Sequence, residues 1–152
     1  MTENGCSKAL EEARKTLEAA GFPAMIAEDG TLTSFFALDE KGNAFAFTAE
    51  CLEDGRPQSH AGIKGVLATV ESLDCEAKTK FYKALLTIPS NYKVSIGVDE
   101  DILLAYFPPG DTSMAYTYIG STYALATNLA GWLIQVVDAL RKGEPIPEFR
   151  PE

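Results

Sequence analysis

His60 is the single histidine of the chain, and its ring is the group best suited to act as a general base or metal ligand near neutral pH. Its setting, "PQSHAG", reads as a polar loop with no nucleophile beside it, so a solvated histidine is expected. The other concentration of chemistry is three acids in a row, Asp99, Glu100 and Asp101. An EF-hand loop needs oxygen ligands at alternating positions, a central glycine and a late glutamate. Here Ile102, Leu103 and Leu104 follow at once and belong to a strand. The acids therefore read as a hairpin tip, where Asp bonds its own turn backbone. Asp39 and Glu40 take the same reading. Cys6, Cys51 and Cys75 form no C-x-x-C pair, which argues against a zinc knuckle and a thioredoxin-type redox motif. Free thiols are expected at all three. The chain has no glycine-rich nucleotide loop, P-loop lysine motif or nucleophile elbow. No catalytic residue, metal ligand or cofactor is assigned.

The totals narrow the partners. With 152 residues the chain fits one domain. Its 22 acids against 13 bases give a net charge of −9. Nucleic acid and anionic membrane surfaces are therefore disfavoured, and a basic protein or peptide is electrostatically welcome. The start of the chain has no basic region followed by an apolar run, so no signal peptide is expected. Tyr123 to Leu140 carries Asn128, Gln135 and Asp138 and is too polar to span a bilayer. A cytoplasmic location is expected.

The elements that must position these residues follow from periodicity. A helix from about Ser7 carries Leu10, Ala13 and Leu17 on one stripe and stops at Gly21-Phe22-Pro23. Three strands follow as a meander: "AMIAE", "LTSFFALD" and "AFAFTAECL", the first pair joined at Asp29-Gly30. In the third, Phe45 and Phe47 point one way and Ala44, Ala46 and Thr48 the other. The large face belongs on the core. The small face lets a helix or a second subunit come close. Glu53 to Ser59 reads as a loop. Ile63, Val66, Leu67, Val70 and Leu73 repeat at helical spacing, with a strand at "GVLATV" as the alternative. Asp74 caps a helix that ends at Pro89. Two strands flank Asp99–Asp101, and a last helix runs from about Ser121 to Lys142 with Gly143 as its cap. The expected fold is α+β, an antiparallel sheet in the order α-β-β-β-α-β-β-α. One domain spans 1–143, and the proline-rich tail 144–152 reads as extended and mobile.

Adjacent aromatics in a strand cannot share a face. One of Phe35 and Phe36 must turn from the core, and so must one of Tyr106 and Phe107. These four, with Trp132 in the small-residue stretch "YALATNLAGW", are the candidate binding residues. Close packing of that stretch on the sheet, or on its twin, is the plain expectation for it.

The stretch "FYKALLTIPSNYKVSIGVDEDILLAYF", followed by a long apolar closing helix through Trp132 and Leu140, resembles the middle helix, acidic-tipped hairpin and last helix of type III secretion chaperones. The YbjN family, which shares their fold, shows the same pattern. The resemblance implies a non-enzymatic homodimer that holds an extended client over apolar patches and a sheet edge. Two other readings stand beside it. One is a small-molecule-binding or metal-dependent enzyme using His60 and nearby acids. The other is a structural or assembly subunit without a ligand.

Overall fold

The computed structural model describes residues 5–89 and 92–150. Along the chain come α1 (Gly5–Ala19), β1 (Met25–Ile26), β2 (Leu32–Ala37), β3 (Ala44–Cys51), β4 (Pro57–Lys64), α2 (Val66–Glu71), α3 (Cys75–Leu85), β5 (Ser95–Asp99), β6 (Ile102–Tyr106) and α4 (Ala115–Lys142). The strands form one antiparallel sheet ordered β1-β2-β3-β4-β6-β5. The class is α+β, in the order anticipated. Residues 55–73 add a fourth meander strand and the short α2.

That strand corrects the expected loop around His60. Pro57, Ser59, Ala61 and Ile63 are buried, while Gln58, His60 and Gly62 between them are not. This is strand alternation, written in residues of low strand propensity. Pro57 is tolerated because it opens the strand. Small inward residues are needed because α4 crosses β3 and β4 closely. A buried network fixes the crossing: Thr122 Oγ1 lies 2.9 Å from Ser59 Oγ, and the Ser59 amide donates to Tyr118 Oη at 3.0 Å. Tyr118 Oη in turn donates to the Pro108 carbonyl at 2.8 Å.

Gly65 marks the switch from β4 to α2. Its φ is +98°, and a Cβ there would stand 2.9 Å from the Gly42 carbonyl oxygen. Left-handed backbone alone costs an L-residue roughly 1–2 kcal/mol, and the clash with fixed backbone adds to it. Gly65→Ala is expected to lower stability by about 2–3 kcal/mol, read from the urea midpoint.

The core lies between the sheet and α1, α2 and α4, with α3 packed on α4. Phe45 and Phe47 are fully buried, as expected. The Tyr123 ring meets both edge-on, at 6.0 and 4.9 Å. Its hydroxyl lies 2.9 Å from Ser34 Oγ, which donates to the Pro23 carbonyl. Burial raises the Tyr118 and Tyr123 pKa values above the ordinary 10.0, because desolvation opposes the phenolate. In the unfolded chain these tyrosines ionise first as pH rises. Their contribution is complete below pH 10 and is lost above it. Urea midpoints should therefore fall as pH rises past 10, and the fall should be shallower in a Tyr118→Phe/Tyr123→Phe variant.

Three further expectations change. Cys6 and Cys51 are joined in a disulfide across 45 positions, tying the first turn of α1 to the end of β3; Cys75 is free and exposed. The last helix begins at Ala115, after a short 3-10 turn capped by Asp111, whose carboxylate accepts from the Ser113 amide. Residues 144–150 of the tail are extended but docked, while 151 and 152 lie outside the described residues: Phe149 is buried, and Trp132 Nε1 donates to the Pro147 carbonyl at 2.8 Å. No helix among the described residues is long and apolar enough to cross a membrane.

Candidate protein-docking face

Strand alternation sends every second side chain of the sheet away from the helices. The register places these outward residues in rows. Phe35, Ala46, Gly62, Leu104 and Gly97 stand side by side across β2, β3, β4, β6 and β5. The next row reads Thr33, Thr48, His60, Tyr106 and Ser95. A third reads Ala37, Ala44, Lys64, Ile102 and Asp99. The row through Phe35 is wholly apolar and sets two large side chains apart by two small residues. Phe35 and Leu104 rise as ridges over a floor of Ala46 and Gly62. The ridges stand three strand spacings apart, about 14 Å, wide enough for an extended strand or an α-helix about 10 Å across.

The Phe35 ridge is 66% exposed, Leu104 is half-buried, and Tyr106 in the neighbouring row is 47% exposed. The floor is kept low by its glycine: a Cβ at Gly62 would meet the Ile102 and Leu104 side chains at 3.4 and 3.7 Å. Tyr106 leans across Gly97 in the same way. The concavity between the ridges holds about 260 Å³ and is lined by Phe35, Ala44, Ala46, Thr48, His60 and Leu104, among others. Lys64 and Asp99 border one end and Glu50 the other, all exposed.

The five candidate residues divide cleanly. Phe35 and Tyr106 lie on the open face. Phe36 turns inward, its ring 5.1 Å from Phe45 and 5.9 Å from Phe22. Phe107 is buried in the core. Trp132 is buried on α4, under the tail, and takes no part in the open face. Phe36 and Phe107 are thereby corrected from candidates for the open face to packing, and Trp132 is removed from that face. The "YALATNLAGW" stretch does bring Ala126 and Ala130, fully buried, onto the core.

His60 belongs to the open face and not to a loop. Its ring lies 6.2 Å from that of Tyr106, and its cross-strand neighbours are Thr48 and Tyr106. Among the described residues, no three of His, Cys, Asp and Glu come together in a way that could hold a metal. Asp99 ends β5 opposite Ile102, so Glu100 and Asp101 alone make the turn, with Glu100 at φ 56°. The acidic stretch is a hairpin tip.

The sequence signals for Ile102 and Leu104 were in plain view, since both alternate with the inward Leu103 and Ala105. Gly62, His60 and Lys64 were hidden with β4. A larger cavity, about 440 Å³, lies between α1 and α4, lined by Ala13, Leu17, Tyr116, Gly120 and Ala124 with others. Its hydroxyls at Thr16 and Tyr116 bond one another at 2.8 Å, so they offer little to orient a ligand. Comparison with family models, with curated proteins and with solved structures yields no match for this chain.

Proposed function

We propose that the chain is a non-enzymatic binding module, a cytoplasmic homodimer that holds a protein or peptide client against its open sheet face. The observation that carries this reading is the apolar row Phe35–Ala46–Gly62–Leu104, on which no helix among the described residues packs and whose Phe35 is exposed. Exposed, contiguous apolar surface of this kind marks interaction sites. Covering Phe35 alone contributes roughly 1.5–3 kcal/mol. The net charge of −9 favours a basic client and speeds its approach. The resemblance to secretion chaperones points the same way.

The enzyme reading has less to stand on. His60 has threonine and tyrosine across from it, not an acid, and the concavity beside it is lined mainly by apolar and small groups. An assembly subunit without a ligand would need the open face to be filled permanently by its own kind. Light scattering during size exclusion tests the homodimer. Twice 16.4 kDa is expected. A mass of one chain at high concentration would remove the homodimer from the reading.

A further inference from the structure

The C-terminal tail occupies a formed slot on the helix side of the molecule, remote in sequence and structure from the open sheet face. Phe149 fills it. Its ring stands 5.3 Å from Trp132 and 5.8 Å from Tyr92, edge-on to each. Two residues earlier, the Pro147 carbonyl accepts the Trp132 indole N–H. Ile146 also packs against the core.

This is the form of a peptide-recognition site. The indole reads a main-chain carbonyl, which any extended segment supplies. The aromatic pair reads the plug two residues on. Proline before it holds the segment extended at low entropic cost. Among the described residues of the tail, Glu148 pairs with Arg150 at the surface. Beside the plug lies a further cavity of about 330 Å³, bordered by Thr127, Gly131 and Gln135. The tail follows Gly143, which ends α4 at φ 69°, and its described residues, 144–150, belong to no helix or strand. Its release from the slot would break no helix or strand pairing.

We infer that the Trp132–Tyr92 slot is a binding site for an extended protein segment of the pattern Pro-x-Phe. The chain's own Pro147–Phe149 is its resident occupant, exchangeable for such a segment of a partner. This inference does not depend on the open face.

Trp132 is the only tryptophan, so its emission reports the slot directly. In full-length Phe149→Ala the emission should move to the red. A synthetic nonapeptide of residues 144–152 should return it, saturably, to the wild-type position. A peptide with unrelated flanks that keeps Pro-Glu-Phe should do the same. The nonapeptide carrying Phe149→Ala should bind about tenfold or more weakly, as loss of a buried aromatic anchor does. If Phe149→Ala does not fold, Phe149→Leu keeps an apolar plug without the ring and is read the same way. Circular dichroism confirms the fold in each case. The inference is overturned if the folded variant emits as wild type, if the nonapeptide fails to restore the emission, or if the peptide with unrelated flanks does not compete.

Discussion

Reducing the Cys6–Cys51 bond, or replacing both residues by alanine, is expected to lower stability by about 4 kcal/mol, the loop-entropy value for a closure of this length. The bond spans 45 positions. Breaking it frees the unfolded chain far more than it disturbs the folded one. In the folded state α1 keeps Ala9, Leu10 and Ala13 buried against its neighbours. A domain of this kind has roughly 5–15 kcal/mol in all, so the loss is large but leaves a folded protein. Urea unfolding with and without reductant measures it, and equal midpoints would show that the bond does not form in solution. Compartment bears on the result. Disulfides persist in oxidising surroundings, and cytosolic thiols are kept reduced. Protein isolated under alkylation from a reducing cytoplasm should carry three modified cysteines, and from an oxidising compartment only Cys75.

The second large effect separates two phenylalanines on opposite faces of adjacent strands. Phe47→Ala removes a fully buried ring that meets Tyr123 at 4.9 Å. A loss of about 3–5 kcal/mol is expected, the usual cost of emptying a core aromatic site. Phe35→Ala removes a ring that is 66% exposed. Its effect on stability should stay within about 0.5 kcal/mol. If Phe35 is instead part of the core, the two midpoints will fall together. A residue that is apolar, exposed and nearly free of stability cost is what a docking face requires.

The reasons these features were or were not legible are local. Where a side-chain pattern and a turn agree, the sequence spoke clearly. Val94, Ile96 and Val98 before the acids, and Leu103, Ala105 and Phe107 after them, leave only a hairpin. The α1 stop was equally plain: Gly21 takes φ 93° and the Phe22 amide bonds the Leu17 carbonyl. Asp74 caps α3 as its position suggests. The strand β4 was obscured because its inward residues, Pro57, Ser59 and Ala61, are small for the sake of α4, and small residues carry little periodic signal. Ile63 then fell by chance into helical phase with Val66, Leu67 and Val70. The real break is the left-handed Gly65 between them. The disulfide was invisible for another reason. It joins elements brought together only by the sheet, and spacing says nothing of that. The docked tail needed Trp132 and Tyr92 in place before Phe149 had anywhere to go.

At the face itself, the alternation rule announced that one of each aromatic pair must turn outward but not which. Packing decided for both inward partners: Phe36 lies against Phe22 and Phe45, and Phe107 is buried in the core. What remained outside, Phe35 and Tyr106, were candidates already; that they share a face followed only when β4 and β6 were seen to complete the row from Phe35 to Leu104, with Tyr106 in the row beside it. The account rests on that row receiving another protein. The most direct test places a benzoylphenylalanine photocrosslinker at Tyr106, with the same group at Tyr82, an exposed residue of α3, as control. The protein is then irradiated in the cells that make it. The account predicts discrete adducts from position 106, with a client or a second copy, that disappear when Leu104→Glu is added. Position 106 giving nothing beyond what position 82 gives would contradict it.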